Sequence, residues 1–189
     1  LAGVGLLEEN RPQVAAPYFQ LVLDRYTGGS GDETIVFTSP ERQELVEASL
    51  CLLEYAYPLT GDLGRLSGVP HVMLQRMPKS SSPWRAYALL IDADALAAQG
   101  RFDEAQGVLA SLIDEFPEHD AAVPANRLLA WTYARQGKDE LAIQTEERML
   151  ARYAAEGNAV HLSSAYLNKG HILFNRKQYA DAADTYDDF

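Results

Sequence analysis

The sequence is short of cysteine and of basic residues, and each shortage excludes a class of structure or partner. Cys51 is the only cysteine among 189 residues, so the chain cannot form an intramolecular disulfide, and its apolar helical setting indicates a packed thiol. Lys and Arg number 16 against 27 Asp and Glu, which gives a formal charge of −11. Because this balance repels phosphate groups, nucleic acid and anionic membrane surfaces are excluded as favoured partners.

Long apolar runs are also missing. No segment approaches the ~20 apolar residues of a membrane-spanning helix, and no charged-then-apolar leader opens the chain, so we predict no direct membrane insertion. The sequence begins at Leu1 without a methionine and stops at Phe189 inside a helical pattern. We therefore interpret it as a piece of a longer protein whose targeting signals lie elsewhere.

Motifs for metal binding and catalysis are absent as well. The histidines form no H-E-x-x-H motif and no i, i+4 pair, and Asp92-x-Asp94 resembles the start of a calcium loop but lies in a helical pattern. Adjacent carboxylates such as Glu146 and Glu147 fall on helical faces that we expect to be solvated. We predict no metal, no cofactor and no catalytic residue. The histidines are His71, His119, His161 and His171.

Apolar residues at helical spacing are what the sequence does contain. The hydrophobic residues make up 47% of the chain, which is enough for one or two cores. The pattern is clearest over residues 85–117, where apolar residues recur every three or four positions on both sides of Gly100 and Pro117 follows the last of them. This pattern predicts two helices folded back at Gly100. No convincing strand pattern appears, so the predicted fold class is all-α.

Serine followed by proline marks two helix starts, because serine is a good N-cap and proline suits the first helical position. Ser39-Pro40 predicts a helix that Pro58 ends, and Ser82-Pro83 predicts the helix after a polar linker. We interpret residues 34–37 as loop and residues 71–77 as a short helix. The remaining predicted helices cover residues 1–9, 12–26, 121–136, 139–153, 160–175 and 179–189.

One spacing tests whether the hairpins repeat. Two helices can cross closely only where both present small residues, and the pairs Gly3/Ala15, Ala93/Ala105, Ala130/Ala142 and Gly170/Ala182 all have members twelve positions apart. A large apolar residue follows three positions after the first member of each pair. Four positions after the second member, the residue is apolar in three pairs, and Glu146 is the exception. Ala105 and Ala142 are 37 residues apart, and Ala142 and Ala182 are 40 apart, a spacing typical of helical-hairpin repeats.

The combined pattern resembles the tetratricopeptide (TPR) repeat family. The residues that match the family pattern are Ala93, Leu96, Gly100, Phe102, Ala105 and Pro117, then Ala130, Tyr133, Gly137 and Ala142, then Gly170, Leu173, Tyr179 and Ala182. Asp92 and Lys169 depart from the family, which usually has leucine there. We expect Asp92 to find a partner, such as an arginine of the irregular segment before it, or the hairpin to be rotated.

The resemblance implies an α-α superhelix, a TPR-like solenoid of about four to five helical hairpins, one of them degenerate. We interpret residues 1–189 as a single such solenoid. Its predicted parts are a partial repeat over 1–27, a degenerate repeat with loops over 39–82, repeats over 83–118 and 121–156, and a truncated repeat over 160–189.

The resemblance also implies a function, since the first helices of stacked hairpins line a concave face that binds peptides or helices of other proteins. Trp131 and its two neighbouring arginines are the strongest candidates, because both residue types dominate binding energy at interfaces. The alternative is that Trp131 packs between repeats while the arginines are solvated. The family's contact positions fall on Tyr87, Leu90, Asp94 and Ala97, on Arg127, Trp131 and Arg135, and on Leu167, His171 and Asn175.

Three functional hypotheses follow. The first is a protein-binding scaffold in a larger bacterial envelope assembly, in the periplasm or at the outer-membrane periphery, because Phe116-Pro117 and residues 178–182 resemble repeats of envelope proteins of outer-membrane assembly or the Tol-Pal system. The second is a sensor or regulatory segment of a cytoplasmic signalling or transcription-activator protein. The third is an all-α toroidal enzyme with a site built from loops.

Overall fold

The described part of the chain is helical throughout its regular structure. A computed structural model describes residues 2–27, 34–60, 69–157 and 159–188, and in these ranges it contains ten α-helices and no strand. The all-α prediction is therefore confirmed. The helices are α1 (Ala2–Glu8), α2 (Pro12–Thr27), α3 (Pro40–Thr60), α4 (Val69–Arg76), α5 (Pro83–Ala98), α6 (Phe102–Glu115), α7 (Ala122–Arg135), α8 (Asp139–Glu156), α9 (Ala159–Asn175) and α10 (Tyr179–Asp187).

The helices belong to two compact units, Leu1–Ala95 and Leu96–Phe189, which we call unit 1 and unit 2. In unit 1, α2 packs against α1 and α3. In unit 2, each helix from α6 to α10 packs against the next one along the chain, and α7 also contacts α9. Packing between sequence neighbours is typical of helical-repeat proteins. The boundaries of the individual repeats stay a prediction.

The small residues expected at the helix crossings are all buried, as the twelve-residue spacing predicted. At the two glycines among them, an aromatic ring packs directly against the backbone. A Cβ on Gly3 would stand 2.9 Å from the ring of Phe19, and a Cβ on Gly170 would stand 2.2 Å from the ring of Tyr186. Both rings therefore lie against glycine backbone, where a side chain would displace them.

The turns after α1, α5, α7 and α9 share one backbone geometry. Two residues after the first helix ends, φ is positive, and the next amide donates a hydrogen bond to the carbonyl five residues before it. This pairing is the Schellman motif, which satisfies carbonyls that the helix end would leave unpaired. In these four turns the residues with positive φ are Asn10 (56°), Gly100 (77°), Gly137 (71°) and Lys177 (63°).

Lys177→Gly is expected to raise the free energy of unfolding by about 0.5–1 kcal/mol, because a side chain at positive φ is strained and glycine is not. The reciprocal variant Gly137→Lys should lower it by a similar amount, since no atom stands within 4 Å of a Cβ at that position and only backbone strain is added. Urea unfolding followed by circular dichroism measures both changes. Equal stability of all three proteins would contradict the prediction.

Asp92 has the partner that its unusual position required. Its Oδ2 lies 2.8 Å from His71 Nδ1, and the two residues are 3% and 7% exposed. Gln75 Nε2 lies 2.9 Å from the other ring nitrogen of His71. This partner comes from the irregular segment before α5, as expected, and it is a histidine.

A second buried polar group, on α3, holds the segment around Ser80 within unit 1. Glu47 on α3 is 0% exposed, and its carboxylate accepts hydrogen bonds from Ser80 Oγ at 2.7 and 2.9 Å and from Gln43 Nε2 at 3.1 Å. Arg85 Nη1 lies 3.6 Å from the same carboxylate. Because a buried charge is costly without partners, these contacts hold the polar linker against α3 and α5.

Three local predictions are confirmed by the structure, and one is wrong. Residues 34–37 form no helix or strand, Cys51 is buried, and Ser82 Oγ accepts a hydrogen bond from the Trp84 amide at 3.2 Å. The prediction that Pro58 ends α3 is wrong, because the helix continues to Thr60. A proline so near the helix end disturbs only the last turn.

Candidate functional site

A stripe of exposed side chains runs along α7. Arg127, Trp131 and Arg135 are all exposed, and their spacing of four places them on one face of the helix. The guanidinium of Arg135 lies 5.7 Å from the centroid of the Trp131 ring, a cation–π contact. We call these three residues the α7 stripe.

Trp131 is both packed and accessible. Its ring meets Phe102 edge to face, with centroids 5.9 Å apart, and Phe102 packs on the buried cluster of Leu96, Ala97 and Ala105. The rest of the side chain is open to solvent, since Trp131 is 46% exposed. Trp131 therefore has the packing contact that one interpretation predicts and the solvent exposure that partner binding requires. A ring held in this way loses less side-chain freedom when a partner binds.

A second exposed row lies on α9, the helix that contacts α7. Leu167 is 39% exposed, and His171 and Asn175 are also exposed, again four residues apart. The ring of His171 lies edge to face with Tyr186, with centroids 5.9 Å apart. The helix α8 packs against both α7 and α9, and α7 contacts α9, so the two exposed rows lie on helices that contact each other.

The candidate partner-binding residues on α5 differ in their solvent exposure. Tyr87 is 38% exposed and Asp94 is exposed, whereas Leu90 is half-buried. These three belong to unit 1 and stay a separate prediction. The prediction that Ala97 contacts a partner is wrong, because Ala97 is 4% exposed and packs in the cluster with Leu96 and Ala105.

Glu146 is the residue that sequence reasoning misplaced. It was expected on a solvated face, but it is 1% exposed on α8. Burial raises the pKa of its carboxyl to about 7, while a hydrogen bond from Asn168 and the charge of Arg127 oppose that rise. No described residue hydrogen-bonds its Oε2 atom. Its position four residues after Ala142, where the other hairpins have buried or half-buried apolar residues, was the signal that could have revealed it.

Arg127, a member of the α7 stripe, also interacts electrostatically with the buried carboxyl of Glu146. Its charge lowers the pKa of Glu146 and also acts on Tyr153. Burial raises the pKa of the Tyr153 hydroxyl, and Glu146 and Arg127 act on that hydroxyl in opposite directions. Arg127 therefore affects both the surface and the interior of unit 2.

Within the described ranges, no three His, Cys, Asp or Glu side chains are grouped as metal ligands. None of the described helices is both long enough and apolar enough to cross a membrane.

Comparisons with known proteins agree with this architecture. Residues 92–159 match the family model described as tetratricopeptide repeat, whereas no curated protein matches the sequence. The structure is similar to the nearly identical TPR-like repeats of a Podosopora anserina protein described as a kinesin light chain. A single-substitution form of those repeats has 17% identity and a TM-score of 0.73, over 99% of this chain and 89% of that chain. A second structure has 17% identity and a TM-score of 0.72, over 98% and 89%. The TPR-like fold is therefore confirmed.

Proposed function

We propose that this chain, with its TPR-like fold and the TPR match over residues 92–159, is a non-catalytic scaffold that binds a peptide or helix of a partner protein. TPR repeats generally mediate protein–protein interaction. The binding surface that we propose consists of the α7 stripe and the exposed row on α9. The observation that carries the proposal is Trp131, which is 46% exposed although one edge is packed on Phe102.

The composition of this surface supports the proposal. Tryptophan and arginine are enriched among the residues that contribute most to binding energy at interfaces, and α7 presents one tryptophan with an arginine four residues away on either side. Leu167 adds an exposed apolar side chain on the neighbouring helix. A partner that covered these residues would remove apolar area from water and still pair with two charges. Tyr87, Leu90 and Asp94 form a second proposed contact region within unit 1.

The biological setting is a finer proposal. We favour a larger bacterial envelope assembly, with the periplasm or outer-membrane periphery as its location, because of the Phe116-Pro117 ending and the sequence of residues 178–182. The alternative is a sensor or regulatory segment of a cytoplasmic signalling or transcription-activator protein. The full-length sequence separates them, since a signal peptide or lipobox favours the envelope, and a nucleotide-binding or DNA-binding domain favours the regulator. The hypothesis of a toroidal enzyme gains no support from the described residues.

Trp131→Ala is expected to weaken partner binding by about 2 kcal/mol, or roughly 30-fold in Kd, because it removes the main apolar contact. The helical content should not change, since the side chain is half exposed. Partners are first captured by pull-down with the wild-type chain and identified by mass spectrometry. Calorimetric titration of the purified partner then gives the affinity of each variant.

The matched control is Leu141→Ala, which truncates a 40% exposed side chain on α8 that is not one of the residues of the proposed surface. Its affinity for the partner should match that of the wild type. If Trp131→Ala unfolds the chain without a separable loss of binding, or if both variants lose affinity equally, the proposed surface is wrong.

A further inference from the structure

A cavity of about 710 Å³ lies within unit 1, and none of its lining residues belongs to the TPR match over residues 92–159. One wall is formed by residues 34–40, which lead into α3, and the other by residues 78–81, which precede α5. Gln43 on α3 also lines the cavity, and its Nε2 donates a hydrogen bond to the Pro78 carbonyl at 2.6 Å. Cavities of roughly 300–1,000 Å³ are typical of ligand-binding sites.

The first wall has the burial pattern of an extended chain. Ile35 is buried, Thr34 and Val36 on either side of it are exposed, Phe37 is half-buried and Thr38 is exposed. This period of two is that of a β-strand with one face packed on the protein. The segment is not part of a sheet, because no strand pairs with it among the described residues.

The backbone edge of this segment is only partly hydrogen-bonded. The Ile35 amide donates a hydrogen bond to the carbonyl of Arg76, the last residue of α4, at 2.9 Å. In an extended chain the N–H groups of residues two positions apart point to the same edge, so the Phe37 amide points to the edge that Ile35 uses. In the part of the chain that the structure describes, the Phe37 amide has no hydrogen-bond partner. The pairing that begins at Ile35 therefore does not continue along the wall of the cavity.

The lining is nearly neutral in a strongly acidic chain. It consists of five serine and threonine residues, five apolar residues, one glutamine and one lysine, and none of them is Asp or Glu. Val36 shows how open the apolar part is, since it is 83% exposed. Hydroxyl groups and apolar side chains both suit a ligand whose own side chains are small and uncharged.

We infer that this cavity binds a short, uncharged, extended segment of a partner protein, which adds to residues 35–39 as a β-strand. The main chain of the bound segment pairs with the unpaired edge at Phe37, and its side chains contact the hydroxyl and apolar groups of the lining. In strand addition, main-chain hydrogen bonds give affinity and the pockets for alternate side chains give specificity. The inference goes beyond the proposed function, because it adds a second surface of a different kind in unit 1.

The first experiment finds a peptide and locates it. Short random-sequence peptides displayed on phage are selected on the full chain, with counter-selection on Ser81→Trp, whose indole would fill the cavity. Ser81 is exposed, and the hydrogen bonds to the buried Glu47 come from Ser80. Ser111→Trp is the matched control, because it places the same side chain at an exposed position of α6. The affinity of the selected peptides, measured by fluorescence anisotropy, should fall at least about tenfold in Ser81→Trp and less than about twofold in Ser111→Trp.

The second experiment tests the strand pairing itself. The selected peptide is synthesised as a series in which each backbone nitrogen in turn is methylated, which removes one donor. Methylation at alternate residues should weaken binding about tenfold, and methylation between them should have little effect, because only alternate N–H groups of a strand point to the paired edge. On the wild-type chain, bound peptide should slow hydrogen exchange of the Phe37 amide about tenfold or more and leave the Val36 amide unchanged, as measured by NMR.

The outcomes separate this inference from the proposed function. If no selected peptide distinguishes the wild type from Ser81→Trp, or if the selected peptides are charged, the inference is wrong. Methylation effects without alternation, or unchanged exchange at Phe37, would show that the peptide does not bind as a strand. Peptides that lose affinity in Trp131→Ala but not in Ser81→Trp would support the α7 stripe as a binding surface and overturn the cavity as a second one.

Discussion

Asp92→Ala should lower the free energy of unfolding by about 3 kcal/mol, one of the two largest effects that we expect. The substitution leaves His71, which is 7% exposed, without the carboxylate that lies 2.8 Å from its ring nitrogen. Removing one member of a buried hydrogen-bonded pair strands the other where water cannot replace the lost contact. His71→Ala should destabilise the chain for the same reason. Urea unfolding measures both variants.

The control lies two residues away on the same helix. Asp94→Ala removes an exposed carboxylate, so its effect should stay within about 0.5 kcal/mol. The double variant His71→Ala/Asp92→Ala should lose clearly less stability than the two single losses added together, because the pair is broken only once. Additive losses, or a loss at Asp92 no larger than at Asp94, would show that the pair contributes little.

Glu146 should make the chain less stable as the pH rises through the neutral range. The ordinary pKa of glutamate is 4.5, and burial raises that of Glu146 to about 7 in the folded chain. Between these values the folded chain holds a proton that the unfolded chain releases. The stabilisation is therefore complete below pH 4.5 and is lost progressively until the pH passes about 7. The full loss amounts to roughly 3 kcal/mol.

Comparison of the wild type with Glu146→Gln isolates this contribution, because glutamine keeps the shape and cannot ionise. The stability of the variant, measured by urea unfolding at several pH values, should fall less than that of the wild type between pH 5 and pH 8. Glu147→Gln is the control, since Glu147 is exposed and paired with Lys169, and it should follow the wild type. Parallel curves for the wild type and Glu146→Gln would mean that the carboxyl is ionised without cost in the folded chain.

Features encoded by local spacing could be predicted from the sequence. The pair Gly170/Ala182 predicted a helix crossing because small residues permit close packing, and both residues are buried, with the ring of Tyr186 against Gly170. Gly100 and Gly137 predicted turns because glycine adopts positive φ without strain, and both residues have positive φ in the structure. Such signals depend on residues that are close in sequence, so they can be recognised in a single amino-acid sequence.

Features decided by distant residues could not be predicted in the same way. The partner of Asp92 is 21 residues away in sequence, in a segment whose helix has no strong periodicity. Glu146 and Glu147 are adjacent and chemically identical, yet only the first is buried, because the packing of α8 against α7 and α9 decides which side faces inward. Trp131 shows the same limit, since its contact with Phe102 depends on how two hairpins meet. The binding roles of the α7 stripe and the α9 row stay predictions.

The Schellman turn determines where this chain tolerates a change in length. In four hairpins the paired small residues are twelve positions apart, whereas the last three of these hairpins are offset from one another by 37 and by 40 positions. One residue inserted between Gly137 and Ala142 would rotate α8 by about 100°, which would move Ala142 out of its crossing. An insertion between hairpins leaves both crossings intact. Segments can therefore be inserted at the connections between hairpins, whereas the turns within them permit no added or deleted residue.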